Sequence, residues 1–316
     1  MPASSTRDVT FANDTFNLAG QLHLPEGFDE NSKYPAIVIS TPGSSVKEQI
    51  GANYGRGLAD RGYLALALDP GFQGQSGGQP RDLENPAARI DDIRFAVDYL
   101  TTLDYVDNDR IGALGICAGG GYAVSATLTE HRIKALGTVV PVNVGRAFRQ
   151  GDTSSKRAAV AMIEAVGDRR TAAAGGLKID RNMWIPDTEE QAAAFGITDV
   201  DTLEAVRYYR TPRGYSENST NRRYFTSDAM MLGYDAFNLV EELLTQPLQV
   251  IVGGRIGTTF SYADGLALWE KAPNAKNFHV VQGAGHYEMY DEPKYVDEAV
   301  DTLDTFYQEF LTAQSN

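Results

Sequence analysis

The chain has 316 residues, with 28 Lys+Arg against 42 Asp+Glu and a net charge of −14, so the basic footprint of a nucleic-acid binder is missing and an anionic membrane surface is disfavoured. A hydrophobic fraction of 42% supplies a sizeable core and excludes a disordered chain. The single cysteine, Cys117, excludes a disulfide-stapled fold, and with no close ligand pair among His23, His131, His279 and His286 no metal is expected.

In chain order, residues 1–14 are polar and carry neither a signal core nor a membrane span, so the expected location is cytoplasmic. Residues 16–24 end at Pro25 and read as an antiparallel strand. Residues 36–40, short and β-branched between prolines, suit a strand buried on both faces. A helix is expected over 47–61, closed by Gly62, then a buried strand over 64–68 and a helix over 86–103 with proline at its start. Strand 110–116, helix 119–129 and strand 133–140 follow. Strands alternating with helices imply β-α-β units and a mostly parallel sheet.

From residue 143 to 239 no convincing buried strand appears. Helix-like stretches at 156–174 and 189–195 are mixed with polar, aromatic and Arg-rich loops. The alternation resumes with strand 248–252, helix 264–271, strand 278–281 and a closing helix over 294–311. The expected organisation is therefore a core of residues 1–142 and 240–316, with residues 143–239 inserted as a cap over the site.

Chemistry is concentrated at Gly115-Ile116-Cys117-Ala118-Gly119, where a buried strand runs directly into a helix. This is the G-x-S-x-G elbow with Cys in place of Ser. Glycines two positions either side allow a turn so sharp that the central residue is strained. The thiol is then held above a helix N-terminus, whose partial positive charge favours the thiolate. Two blander readings compete. A buried Cys often serves as a small core hydrophobe. A Gly-rich strand-to-helix turn can bind a dinucleotide, but the G-x-G-x-x-G spacing is absent here. The expected base is His286, on the glycine-flanked loop Gly283-Ala284-Gly285-His286-Tyr287 after the last strand.

With T-P-G-S-S-V-K-E-Q (41–49), D-P-G-F-Q-G-Q-S-G-G (69–78), R-I-G-A-L-G-I-C-A-G-G-G-Y (110–122) and G-A-G-H-Y-E-M-Y-D-E-P-K-Y-V-D (283–297), the chain resembles the α/β-hydrolase superfamily. Within it the resemblance is to the dienelactone hydrolase family, in a branch that includes polyketide-transferase-like proteins. The resemblance implies an α/β-hydrolase fold, Cys117 as nucleophile, His286 as base and no metal or organic cofactor. It also exposes a departure. Superfamily members place an acid after the penultimate strand to orient the histidine. Residues 253–260 contain none, and the matching position is Gly257. Glu48 is the replacement the resemblance suggests, because relatives have a glutamate there that reaches the cysteine. It equally suits the opening of a helix. Asp264, Asp235 or a backbone carbonyl are further ways to hold the histidine, whereas Asp69 reads as fixing the 69–76 loop.

Acyl transfer needs two oxyanion donors. These are expected at the Ala118 N–H and in the loop after strand 36–40, at Gly43 or Ser44. Cap aromatics (Trp184, Tyr208, Tyr209, Tyr215, Tyr224, Phe225) and arginines (Arg207, Arg210, Arg213, Arg222, Arg223) would line the pocket roof and suit an acyl group bearing a carboxylate or a carrier arm. The leading expectation is a hydrolase of a small ester, lactone or thioester, acting through an acyl-cysteine. An acyltransferase of the polyketide-transferase type would use the same Cys-His site, and a non-catalytic binding protein on a hydrolase scaffold is the third reading. The expected partner is a small-molecule acyl substrate, with no nucleic acid and no membrane, and a homodimer is left open.

Overall fold

The computed structural model describes residues 5–150 and 156–312. Eight strands form one sheet in the order β1-β2-β4-β3-β5-β6-β9-β10. They are β1 (Ser5–Ala12), β2 (Asn17–Leu24), β3 (Tyr34–Ser40), β4 (Leu64–Leu68), β5 (Val106–Ile116), β6 (Ile133–Val139), β9 (Leu248–Gly253) and β10 (Ala275–Val281). β1 and β2 form an antiparallel hairpin and β2 runs antiparallel to β4, while every pair from β4 to β10 is parallel. The parallel strands are the most apolar, and all five residues of β4 are buried.

Successive residues of these strands face opposite layers. Val38, Leu66 and Ala113 pack with helices α2 (Pro86–Thr101), α3 (Ala118–Thr127) and α10 (Ser261–Lys271). Ile37, Ile39 and Leu114 pack with α1 (Ala52–Ala59) and α12 (Pro293–Tyr307). α2 starts as its sequence implies: Pro86 follows Asn85, whose side chain accepts from the Ala87 N–H at 3.1 Å.

Two elements differ from the sequence expectation. The first ten residues of the described chain include β1, whose side chains are almost all exposed apart from Phe11. A strand held mainly by its ladder hydrogen bonds leaves no apolar pattern to read. The helix expected from residue 47 opens instead as a wide turn, Lys47–Gly51, broken at Gln49 (φ −89, ψ −130), and regular helix begins at Ala52.

Between β6 and β9 lies the helical cap: α4 (Val144–Gln150), α5 (Lys156–Ala174), α6 (Glu189–Ala194), α7 (Val200–Tyr209), α8 (Ser227–Leu232) and α9 (Val240–Leu243), with a two-residue ribbon of β7 (Asn182–Met183) and β8 (Arg222–Arg223). It is pinned to the core by polar contacts. The Gln49 side chain donates to the Gly214 carbonyl at 2.6 Å, Ser219 Oγ to the Ser44 carbonyl at 2.9 Å, and Arg213 pairs with Asp291 of α11 (Glu288–Asp291) at 2.7 Å. No described helix is long and apolar enough to cross a membrane.

Candidate active site

At the end of β5 the chain turns through Cys117 with φ 55 and ψ −126, a left-handed conformation few non-glycine residues adopt. Its neighbours make the turn affordable only as glycines. A Cβ on Gly119 would overlap the Ser40 and Thr41 carbonyls, and one on Gly115 would lie 2.6 Å from the Gly119 carbonyl oxygen. The backbone is locked on both sides: the Cys117 N–H donates to Val139, and its carbonyl accepts from the Gly120 and Val142 N–H groups at 2.8 and 2.9 Å.

The thiol looks into a cavity of about 150 Å³. Pro42, Gly43 and Ala118 line its floor beside Cys117; Val144, Ala147 and Phe148 form one wall. Trp184, Ile185 and Tyr209 of the cap close the roof, with Tyr287 and Tyr290 on the far side. Trp184 sits so close to Gly43 that a Cβ there would be 2.6 Å from its ring. Trp184, Ile185, Thr259 and Tyr287 also line a second, more polar cavity of about 250 Å³ that bears Asp199 and Asp201.

Burial pushes the Cys117 thiol up to about 11, against hydrogen bonds from the Tyr290 hydroxyl and the Ala118 N–H and the charge of Arg89. His286 is buried behind the tyrosines. Its Nδ1 lies 3.0 Å from Ser261 Oγ and its Nε2 3.0 Å from the Tyr290 hydroxyl. Burial pulls its imidazole down to about 4, opposed by the charge of Asp201. Tyr290 lines the cavity together with Cys117, and its hydroxyl reaches His286, so it stands between the two. With Nδ1 protonated, the ring donates to Ser261 and Nε2 accepts from Tyr290.

Of the residues singled out from the sequence, Cys117 and Ala118 share the cavity floor, and His286 stands one hydroxyl behind it. Ser44 lies behind Gly43: its hydroxyl accepts from Asn221 Nδ2 at 3.0 Å, and Gly43 rather than Ser44 lines the cavity. Glu48 is set apart. Its carboxylate accepts from Lys47 Nζ at 2.6 Å and Asn218 Nδ2 at 3.0 Å, and it has no contact with Cys117 among the described interactions. Asp264 binds the Asn143 N–H and Arg146, and Asp235 binds Asn143 Nδ2, so neither reaches His286. Asp69 holds its loop through the Lys47 and Gln75 N–H groups, both at 2.8 Å.

The roof is aromatic but not cationic. Arg207 pairs with Glu189, Arg210 and Arg222 with Asp187, Arg213 with Asp291 and Arg223 with Asp228. Arg223 supports the roof, its guanidinium 5.6 Å from the Trp184 ring centre. Tyr215 is exposed, and Tyr224 and Phe225 line a separate groove with Pro80 and Leu83. Sequence reasoning passed over Tyr290, Ser261, Thr259 and Asp201. Only Tyr290 had a signal, one helical turn after His286 in H-Y-E-M-Y.

The chain belongs to the family described as X-Pro dipeptidyl-peptidase (S15 family), which it matches over residues 14–230. It is 39% identical to the uncharacterized protein YcjY of Escherichia coli (strain K12), over 95% of this chain and 96% of the relative. It is 32% identical to the uncharacterized protein PA2218 of Pseudomonas aeruginosa, over 90% of this chain and 76% of that one. The crystal structure of PA2218 superposes with a TM-score of 0.87, covering 98% of this chain and 95% of that chain at 29% identity. A thiohydrolase of Eupenicillium brefeldianum is 24% identical over 85% of this chain and 84% of its own. Sheet and cap make this an α/β-hydrolase-fold protein.

Proposed function

We propose that the protein is an acyl hydrolase whose covalent intermediate forms on Cys117. The observation that carries this reading is the strained Cys117, presented at a cavity floor beside the first N–H of α3, with the Tyr290 hydroxyl bridging to His286. Cys117 Sγ attacks the acyl carbon while its proton passes by way of Tyr290 to His286 Nε2. The Ala118 N–H and a donor of the Gly43–Ser44 turn hold the oxyanion. The acyl–oxygen or acyl–sulfur bond breaks, and the imidazolium proton goes to the leaving group. Water then attacks the thioester, giving its proton to His286, and the thiol is restored.

An apolar cavity of about 150 Å³ with every cap arginine of the roof paired elsewhere suits a short, uncharged acyl group. The neighbouring polar cavity suits the leaving group. The thiohydrolase relative supports a thioester as the natural bond.

The test is intact-protein mass after mixing with an activated aryl ester, read alongside aryl release. A transient adduct on Cys117 with steady release is expected. Cys117→Ala should form no adduct while keeping the wild-type melting temperature. His286→Ala should slow turnover by about 100-fold to 10,000-fold, the usual share of a general base. Turnover unchanged in Cys117→Ala would end this reading. An adduct that clears only on adding an alcohol or amine would make the protein a transferase using the same site.

A further inference from the structure

Since the loop after β9 has no acid, the support for His286 must come from elsewhere, and the other candidates are bound away from it: Glu48 with Lys47, Asp264 with Arg146 and, in the cap, Asp235 with Asn143. One buried carboxylate remains beside this loop, and it comes from the cap. We propose that Asp201, in the first turn of cap helix α7, is the positioning residue for His286 and stands in the place the sheet loop has left empty.

The geometry is specific. A Cβ on Gly257, the position matching the missing acid, would overlap both carboxylate oxygens of Asp201. The cap carboxylate thus fills the side-chain space of residue 257, and any side chain placed there would have to displace it. Asp201 Oδ2 accepts from the Thr259 N–H at 2.8 Å. Thr259 Oγ1 lies 3.4 Å from Ser261 Oγ, which lies 3.0 Å from His286 Nδ1. A second clasp sits beside the first: Thr258 Oγ1 donates to Asp199 Oδ1, the cap of α7, at 2.7 Å. Asp201 therefore orders the 257–261 loop that presents Ser261 to the imidazole. Its negative charge also favours the imidazolium that forms when His286 takes a proton.

This inference rests on His286 being the base, and the test separates the two. kcat and KM for the aryl ester are measured for Asp201→Asn, Asp201→Gly, Gly257→Asp, the double variant Asp201→Gly/Gly257→Asp, and His286→Ala. Asn at 201 keeps an acceptor for Thr259 but no charge, so kcat should fall about 30-fold to 100-fold with KM within about twofold, a modest part of what a directly bonded triad acid provides. Gly257→Asp alone should be impaired by its clash with Asp201. In the double variant the carboxylate returns from the sheet side, and kcat should rise at least about tenfold above Asp201→Gly, a rescue that loss of a merely structural contact would not give. Wild-type kcat in Asp201→Asn, or a double variant no better than Asp201→Gly, overturns the proposal while an inactive His286→Ala leaves the base intact. Full turnover in His286→Ala overturns both.

Discussion

The Cys117 thiol and the His286 imidazole are pushed apart by the same cause. Burial raises the first to about 11 and lowers the second to about 4, so at neutral pH both rest uncharged. The helix N-terminus at Ala118 and the charge of Arg89 act in the opposite direction and do not overcome it. Under the proposed mechanism the thiolate that the elbow sequence suggests is therefore made during attack and not stored beforehand. Alkylation of Cys117 by iodoacetamide should accordingly be slow at pH 8, where about one thiol in a thousand would be ionised, and should keep rising roughly tenfold per pH unit through pH 10. A rate that levels off near pH 8 would show a thiolate already present and remove the need for a base.

A strand, a one-residue turn and a helix are enough to present the sulfur, and the tolerance of that unit is set by backbone. β5 delivers Cys117 at the level where the Ser40 and Thr41 carbonyls of the neighbouring loop pass Gly119. The Thr41 carbonyl is held in place by Arg89, which donates to it and to the Pro42 carbonyl. Gly119→Ala should destabilise the protein by about 3 kcal/mol, the upper end of overpacking costs, with loss of activity even where protein remains folded. Thermal denaturation with the ester assay measures both, and a wild-type melting temperature would mean that α3 can shift away from β3. The helix α7 shows the same dependence from the other side, since its carboxylates close on Gly257, Thr258 and Thr259.

Across the whole molecule, buried titratable groups set the response to acid. His23 and His286 are each held at about 4 rather than 6.5, both mainly by burial, with Arg56 adding to the effect at His23. Between those values the unfolded chain binds protons that the folded protein refuses, so stability is complete above pH 6.5 and declines as pH falls toward 4. Asp92 works against this: burial lifts its carboxyl to about 6, despite the Gly71 N–H and Arg89. Burial also raises the Asp69 and Asp264 carboxyls, which act with Asp92. The two histidines start to lose stability at 6.5, above the value of about 6 for Asp92, so the melting temperature should drop as pH falls from 7 to 6. His23→Gln, away from the candidate site, should flatten that slope. A melting temperature constant over this range would mean that both histidines reach protons without unfolding.

The sequence alone determined the parallel sheet, the elbow at Cys117 and the loop of His286, because each is written in neighbouring residues. Buried strands need unbroken apolar runs, a left-handed turn needs small flanking residues, and both requirements act within a few positions. It also registered that an acid was missing at Gly257, without revealing what fills the space. Tyr290 between the sulfur and the imidazole, Ser261 behind the ring, Asp201 from the cap and the pairing of each cap arginine with a carboxylate were decided only when distant segments packed together. A charged side chain reads the same whether it faces solvent, a partner or a catalytic group. Its role is fixed by distance and burial, which a linear pattern does not contain.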